Sequence, residues 1–535
     1  MGEKLSNKAN ACNNFLFKSQ NYYLKIPKMD ELVPQNHFVR IVSKTVDELE
    51  IEEVFARNTK GGGASRYNPI MLLKVLIYCY MTGTYSSRQI AKQCRENVNV
   101  MWLTAFQKPD FRTINTFRSE KLKDSIEEIF VSTVKLLNRK GYVSLEKYFV
   151  DGTKIESAAN KYTFVWKKAV EKNEKKLDEK LKVFLKDVEE ITRKENQIYG
   201  EKDFAETGDD TPVTSEEIKA VAEQINKKLT EINDLDDEDS KDVKKKLKKA
   251  KRQIEKDYLP RKEKYEKANA TFNDRNSYSK TDEDATFMRM KEDHMLNGQL
   301  KPGYNIQVGT ENNFVIGYDV FQNPTDTRTF IPHLENVQNR LGCKFKFAIA
   351  DAGYGSEENY DYLEKNEITG IVKYTTYEKE TKRSFKKKTF NTENWKYDAE
   401  QKEYTCPCGN PVPYKKTVTK KNKSGYLQTY EVYQCENCEG CPFRQLCTKS
   451  EYGRVIQRNG HWLEQKAKVK ELLSSEEYKT LMKKRSTECE TVFGQTKGNL
   501  GFRRFHLRGK EKVGTEWGLL MLGYDFKQLI RLMNA

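Results

Sequence analysis

The feature that most constrains the fold of this 535-residue chain is a long segment rich in Lys and Glu that separates two stretches of strand-like sequence. From Lys161 to Lys267 the apolar residues recur at heptad-like spacing, which is typical of helices that pack side by side. Before and after it, EKYFVDGTKI (146–155) and GYNIQVG (303–309) alternate apolar with polar residues, as strands do. We therefore predict a helical, coiled-coil-like insertion at 157–295 within an α/β core.

The strands on either side of the insertion predict a mixed α/β sheet. FVIGYDVF (314–321) follows GYNIQVG after a short polar turn and completes a hairpin. KFKFAIADAGYG (344–355) and GIVKY (370–374) are two further strands, each preceded by a stretch with helical spacing. The predicted core comprises residues 146–156, 296–380 and 455–535.

Residues 1–145 are predicted to form a helical N-terminal domain. Pro69 suits the first turn of a helix that Gly83 ends, and further helices begin after Ser86 and Asp110. Basic side chains along the later helices predict a helix-turn-helix-like module that binds DNA. They are Arg88, Lys92, Arg95, Arg112 and Arg118. The alternative is a basic bundle that only dimerises or packs on the core.

The charge balance favours a polyanionic partner. Lys and Arg number 95 against 79 Asp and Glu, a net charge of +16, and such an excess attracts nucleic acid. No run of about 18 apolar residues is present, and MGEKLSNKANACNN at the N-terminus has no apolar signal core. We therefore expect a cytoplasmic protein, associated with the nucleoid when bound to DNA, that has no membrane partner.

Two aspartates follow buried strands at the points where the strand pattern stops. Asp151 and Asp351 each precede a glycine-containing turn, and the carboxyl ends of strands are where sites form in α/β sheets. Two neighbouring carboxylates repel each other unless a cation neutralises them. Hard divalent cations prefer carboxylate oxygens. The pair therefore predicts a site for Mg²⁺ or Mn²⁺.

A third acid would complete such a site, and the predicted helix near the C-terminus offers two. Glu488 and Glu490 point about 200° apart on a helix, so only one can face the site. The seven-residue spacing to Lys497, about two turns, favours Glu490. Asp319, within a strand, is expected to be an exposed member of an ion pair. Asp326 is expected to cap the following helix, with a supporting role at the site as the alternative.

Three sequence motifs occur in the order expected for a known protein family. FVDGTKIES and AIADAGYGSEEN resemble the two aspartate motifs, and ECETVFGQTKGNLGFRRFHLRG the glutamate helix, of the DDE transposases encoded by bacterial insertion sequences. PDFRTINTFR is similar to their N-terminal module. The resemblance covers roughly residues 30 to 535, outside the insertion and the cysteine segment. The arginine that some branches place four residues before the glutamate is Ser486 here, with Arg485 adjacent.

The resemblance implies an RNase H-like core in which Asp151, Asp351 and Glu490 are catalytic and bind Mg²⁺ or Mn²⁺. It implies two-metal-ion catalysis, in which two such ions support cleavage at the ends of the element and transfer of the freed 3′-OH to target DNA. The expected partners are terminal inverted repeats, target DNA and a second copy of the chain in a synaptic complex. Basic residues after the glutamate would bind phosphates; these are Lys497, Arg503, Arg504 and Arg508.

Two other function classes remain open at this point. One is a non-catalytic, zinc-containing DNA-binding protein derived from a transposase, and the other is a stand-alone metal-dependent nuclease. A Ser-His-Asp hydrolase is disfavoured, because none of the five histidines lies in a nucleophile-elbow or triad motif. The chain has no P-loop, so no ATP requirement is implied.

Six of the eleven cysteines crowd into a β-rich segment predicted over 381–454. The expected reducing compartment disfavours disulfides, and the two knuckle-like clusters suit a structural Zn²⁺ with four thiolates. An iron–sulfur centre has the wrong fourth spacing, and reduced free thiols are the remaining alternative. The six, of which four would bind zinc, are Cys406, Cys408, Cys435, Cys438, Cys441 and Cys447.

Overall fold

The computed structural model describes two compact units of the chain. Met1–Glu156 together with Tyr304–Ala535 form the first, and Ser157–Gly303 form the second. No helix of the described residues is both long and apolar enough to cross a membrane. The residues described are 15–19, 22–26, 29–57, 67–199, 213–232, 238–290 and 298–533.

The helical N-terminal domain is built around a largely buried helix, Pro69–Met81, which Asn68 caps by accepting hydrogen bonds from two backbone N–H groups. The helix predicted after Ser86 is two helices, because Asn97 is extended between them and caps the second. The helix predicted after Asp110 is also interrupted, by a π-helical turn at Phe117–Lys121. A hairpin (Phe15–Ser19, Tyr22–Ile26) precedes the helices Met29–Leu32, Phe38–Asp47, Glu52–Arg57, Pro69–Met81, Ser87–Glu96, Val98–Leu103, Phe111–Thr116 and Ile126–Arg139.

The C-terminal helix Lys510–Met533 packs against the Pro69–Met81 helix within the first unit. Gly523 permits the close approach, because a Cβ at that position would lie 2.9 Å from the backbone nitrogen of Met81. Trp517 and the apolar residues from Leu519 to Phe526 are fully buried. The two ends of the first unit therefore share one hydrophobic core.

Five strands of the first unit form an RNase H-like mixed sheet, which confirms the predicted fold class. Its order is strand five, four, one, two, three, and a sixth strand, Thr286–Arg289, pairs with Leu300–Gly303 at the start of strand two. Strand four is parallel to strands one and five, whereas strands two and three are antiparallel. The helices Phe330–Leu341 and Glu357–Lys365 connect strands three to four and four to five. Core strands one to five are Lys147–Glu156, Leu300–Glu311, Phe314–Phe321, Phe347–Gly355 and Thr369–Tyr374.

The two faces of strand one have different neighbours. Tyr148 faces the Phe330–Leu341 helix, where its hydroxyl lies 2.9 Å from Nε2 of His333. Phe149 lies on the opposite face, because side chains alternate along a strand. There its carbonyl oxygen is 3.5 Å from Sγ of Cys489 in the helix Glu476–Phe493. Asp151 shares the Phe149 face and therefore points toward the side of the sheet that this helix covers.

The cysteine segment is mostly β, as predicted, and forms an antiparallel sheet of five strands. Asn422 and Ser424 at the tip of its long hairpin donate hydrogen bonds to Glu358, in the helix after strand four. The strands are Lys396–Asp398, Glu403–Thr405, Pro411–Lys421, Leu427–Gln434 and Val455–Arg458. The helical elements around and after them are Tyr377–Glu380, Arg383–Lys386, Thr392–Asn394, Arg444–Cys447, Gly460–Leu472, Glu476–Phe493 and the π-helical turn Gly494–Asn499.

The second unit contains the helical insertion and has its own hydrophobic core, which includes Leu181, Ile225 and Leu247. A capping box begins its second long helix, since Thr214 and Glu217 each accept a hydrogen bond from the other's backbone N–H. The unit ends at Gly303, whereas the sequence placed the end of the insertion at 295. Its elements are Phe164–Trp166, Lys167–Tyr199, Ser215–Ile232, Glu238–Gln253, Ile254–Tyr258, Leu259–Phe272, Ser277–Ser279 and Thr286–Arg289.

Candidate active site

The structure brings Asp151 and Asp351 side by side. Strands one and four are parallel, and their last register pair is Val150 with Ala350. The two aspartates are the next residues on strands whose backbones lie about 4.8 Å apart. Both strands continue past the aspartates, to Glu156 and Gly355, so the predicted strand ends were placed too early. What ends there is the parallel pairing of strands one and four, and the two acids lie where it stops.

Each aspartate is held by a hydrogen bond from a backbone N–H one or two residues after it. The N–H of Gly152 donates to Oδ1 of Asp151 at 2.8 Å, and the N–H of Gly353 donates to Oδ1 of Asp351 at 2.8 Å. Asp151 is buried, whereas Asp351 is partly accessible. Hard oxygen donors held in this way fit a divalent cation.

Arg485 supplies a positive charge to the aspartate pair. Its Nη1 lies 3.5 Å from Oδ2 of Asp151, and both side chains are mostly buried. Ser486, which occupies the position of the family's arginine, instead donates its hydroxyl to the carbonyl of Lys483. Arg485 and Cys489 are one turn apart, so both face strand one. The sequence analysis noted that Arg485 is adjacent to the position of the family's arginine but did not predict its contact with Asp151.

The structure does not bring Glu490 to the aspartates. Its side chain is exposed, and nowhere in the described residues do three or more His, Cys, Asp or Glu side chains form a group that could hold a metal ion. Glu488 is fully buried and turned elsewhere. It accepts a hydrogen bond from the N–H of Asn313 in the hairpin turn and pairs with Lys484 at 3.2 Å.

The basic residues after the glutamate helix lie near the end of strand one. Nζ of Lys497 is 3.3 Å from the carbonyl oxygen of Lys154. The N–H of Phe505 donates to the carbonyl of Glu156 at 2.9 Å, which aligns the segment containing Arg503 and Arg504 with the strand. The arginines at 503, 504 and 508 are exposed, as phosphate contacts require.

Four of the five basic residues predicted to contact DNA through the N-terminal helices are exposed: Arg88, Lys92, Arg95 and Arg112. The guanidinium carbons of Arg88 and Arg112 lie 5.1 and 5.8 Å from the centroid of the Phe111 ring, itself 38% exposed. These two arginines and Phe111 therefore form one aromatic and basic surface. Lys92 pairs with Glu96 of the same helix at 3.5 Å.

Arg118 does not lie on that surface, contrary to the prediction. It is 2% exposed. Its guanidinium donates to the hydroxyl of Tyr80 and the carbonyl of Tyr85, at 2.8 and 2.7 Å, and to the side chains of Ser87 and Asn115. A buried cation is tolerated because these bonds replace its hydration. The structure therefore assigns Arg118 to the interior of the helical domain.

Two further acids differ from their sequence-based expectations. Asp319 is paired, as predicted, but its side chain is only 13% exposed. It lies 2.6 Å from Nδ1 of the buried His333 and 2.9 Å from Nη2 of Arg340. Asp326 does not cap the following helix, which begins after Thr329 without a side-chain cap. Its carboxylate instead accepts hydrogen bonds from Asn305 and Gln307 of strand two.

All six clustered cysteines line one small cavity in the cysteine segment. Sγ of Cys408 lies 3.2 Å from Sγ of Cys441, so the two knuckle regions meet. Burial raises the pKa of the Cys435 thiol to about 12, and the contact with Cys441 raises that of Cys408 to about 11. In the metal-free protein these thiols are therefore protonated at neutral pH.

Two family models match parts of the chain. One, described as a transposase DDE domain, matches residues 405–530, and the other, described as a transposase domain (DUF772), matches residues 27–120. No curated protein and no solved structure gives a significant match. Asp151 and Asp351 lie outside both matched ranges, whereas Glu490 and Lys497 lie inside the first. The two matches indicate a DDE-type transposase of an insertion element, and the RNase H-like sheet formed by the sequence between them agrees with that family.

Proposed function

We propose that this transposase acts as a homodimer that binds the terminal inverted repeats of its element, cleaves DNA there, and joins the freed 3′-OH to target DNA. The observation that carries the proposal is the pair Asp151 and Asp351, adjacent on two parallel strands of an RNase H-like sheet. The donor set fits Mg²⁺ or Mn²⁺, and the guanidinium of Arg485 already lies against Asp151.

The chain's own residues bind and orient the DNA in this proposal. Two divalent ions held at Asp151 and Asp351 would activate the attacking oxygen and stabilise the leaving oxygen in an in-line displacement. Exposed Arg503 and Arg504 at the end of strand one would bind the phosphates on either side of the cut. No side chain is needed as a nucleophile. Glu490 enters as the third acid on the strength of the family resemblance.

Substitution of the acids tests this proposal. Asp151→Ala or Asp351→Ala should lower Mg²⁺-dependent nicking of duplex carrying the element's own ends by several orders of magnitude and leave binding nearly unchanged. Glu477→Gln, an exposed acid in the first turn of the same helix as Glu490, is the control and should have no effect. Glu490→Gln should behave like the aspartate variants if Glu490 is the third acid.

The products separate the remaining functions. Nicking without joining of 3′ ends to a target plasmid would favour the stand-alone nuclease. Wild-type nicking rates in Asp351→Ala would refute catalysis by the aspartate pair. Wild-type protein that binds the element's ends but nicks no DNA in Mg²⁺ would favour the non-catalytic DNA-binding role.

We also propose that four of the six clustered cysteines bind one structural Zn²⁺, because all six line the same cavity. In the described residues no three of these thiols already form a metal-binding group, so the ion would have to draw four of them together. Protein purified without chelator should contain about one equivalent of zinc per chain. The double change Cys435→Ser, Cys438→Ser should remove the zinc and lower the melting temperature, since structural zinc contributes folding free energy. Metal analysis that finds no zinc would contradict the proposal.

A further inference from the structure

A buried polar network lies directly behind the two aspartates. Its side chains are Asn305 and Gln307 on strand two, Asp326 in the loop after strand three, and Tyr354 on strand four. Asn305, Gln307 and Tyr354 are at most 1% exposed. Buried polar side chains are costly unless their hydrogen bonds are made, so the contacts among them determine how they are held.

The network is continuous from Asp326 to Tyr354. Oδ1 of Asp326 accepts hydrogen bonds from Nδ2 of Asn305 at 2.8 Å and Nε2 of Gln307 at 3.1 Å. Oε1 of Gln307 accepts one from the hydroxyl of Tyr354 at 2.5 Å. Both the nitrogen and the oxygen of the Gln307 amide are therefore hydrogen-bonded. The side chain connects strand two to strand four across strand one.

The network contacts the backbone next to both aspartates. A Cβ on Gly152, the residue after Asp151, would lie 2.4 Å from Nε2 of Gln307, 2.8 Å from Oδ1 of Asp326 and 3.1 Å from the hydroxyl of Tyr354. Glycine at 152 therefore lets strand one rest on the network. Tyr354 is three residues after Asp351, and Thr327, next to Asp326, donates its hydroxyl to the carbonyl of Gly353 at 2.8 Å.

We propose that Asp326, Gln307 and Tyr354 are positioning residues that fix the separation of Asp151 and Asp351 and so set the affinity of the pair for a divalent cation. The inference rests on the proposed function, since it assumes that the pair binds the ion. Hydrogen-bonded groups behind metal ligands commonly act in this way, and their loss costs about 10–100-fold in metal affinity or activity.

Two substitutions separate the parts of the network. Tyr354→Phe removes the hydroxyl while the ring keeps its contact with Phe330, whose centroid is 5.4 Å away. Asp326→Asn keeps an oxygen that can accept from both amides but removes the negative charge. Tyr360→Phe is the matched control, because it removes a buried hydroxyl that donates to Val372 of strand five rather than to the network.

The test compares full-length wild type and the three variants in two measurements. Free Mn²⁺ is followed by electron paramagnetic resonance during titration of the protein without DNA, and the Mg²⁺ concentration for half-maximal nicking is measured on the element's ends. We expect Tyr354→Phe and Asp326→Asn to weaken Mn²⁺ binding about 10-fold and to raise the Mg²⁺ requirement in parallel. The control should stay within about 2-fold of wild type.

The outcomes distinguish this inference from the proposed function. Wild-type Mn²⁺ binding in both network variants would overturn the inference, as would an equal loss in Tyr360→Phe, which would indicate general loosening of the sheet. If the wild type binds Mn²⁺, both network variants bind it more weakly, and the wild type never nicks DNA, the proposed function would be refuted and the positioning role supported. Wild-type protein that binds no Mn²⁺ would overturn the inference.

Discussion

Arg485 is predicted to act as the cation of the aspartate pair when no metal is bound. Its Nη1 lies 3.5 Å from Oδ2 of Asp151, and the two side chains are 16% and 11% exposed. Two unit charges at that distance attract by 332/(20 × 3.5), about 4.7 kcal/mol at an effective dielectric constant of 20. Removing both charges from water offsets part of this attraction. Measured values bracket the remainder: exposed pairs contribute about 0–1 kcal/mol, and loss of one partner from a buried pair costs about 3–5 kcal/mol. For this mostly buried pair we expect a coupling free energy of about 2 kcal/mol.

A double-mutant cycle measures this coupling free energy. Wild type, Arg485→Met, Asp151→Asn and the double variant are unfolded in urea with EDTA present, and the coupling is the difference that remains after the two single effects are subtracted. The same cycle on Lys512 and Glu120, an exposed ion pair in the first unit, is the control and should give a clearly smaller coupling, because solvent screens exposed pairs. With Mg²⁺ in excess, the Arg485–Asp151 coupling should fall toward zero, because the ion takes over the neutralisation of Asp151.

Two results would refute this reasoning. A coupling free energy below about 0.5 kcal/mol in EDTA would mean that the contact does not neutralise Asp151. A coupling of the expected size that Mg²⁺ leaves unchanged would mean that Arg485 and the metal do not share Asp151. The second result would weaken the assignment of the aspartate pair as the metal site.

The other predictions concern the remaining parts of the chain. The double variant Arg88→Ala, Arg112→Ala should reduce the magnitude of the slope of log affinity against log salt concentration for terminal-repeat duplex by about 2. The buried Arg118→Ala should instead lower the melting temperature. An unchanged slope in the double variant would mean that other residues bind the DNA. Zinc binding should release protons and weaken as pH falls, because the Cys435 thiol, with its pKa raised to about 12, must lose its proton to bind; calorimetry in two buffers checks this. Replacing 167–267 by a short linker should leave the first unit folded, and an insoluble product would show that the insertion covers it.

The fold could be predicted to a large extent because its signals are local. The two-residue period of EKYFVDGTKI and the heptad-like spacing of the insertion follow from side-chain geometry within single elements. The break at Asn97 could not be predicted in this way, because the apolar spacing continues through it. The lengths of strands one and four were also underestimated. The residues after Asp151 pair with a segment near Phe505, more than 300 positions away, which local spacing cannot reveal.

The candidate site was predictable in its residue types and only partly in its contacts. Asp151 and Asp351 could be paired because two parallel strands in one sheet bring their equivalent positions together. Arg118 was misplaced because a cation was assumed to be exposed, and only the folded structure brings Tyr80 and Tyr85 to its guanidinium. The polar network left a signal in GYNIQVG, where two amides occupy one face of an otherwise apolar strand.

The third acid shows why spacing along a helix does not decide which side chain faces a site. Glu490 and Lys497 are seven residues apart, and in a regular α-helix they would point within about 20° of each other. In the structure Lys497 lies within a π-helical turn, Gly494–Asn499, in which the N–H of Leu500 is bonded to the carbonyl of Gln495, five residues back. The turn winds by less per residue, so Lys497 contacts strand one while Glu490 stays exposed. The contact of Lys497 therefore no longer implies that Glu490 faces the aspartates, and comparison of Glu490→Gln with Glu477→Gln, rather than spacing, must decide its role.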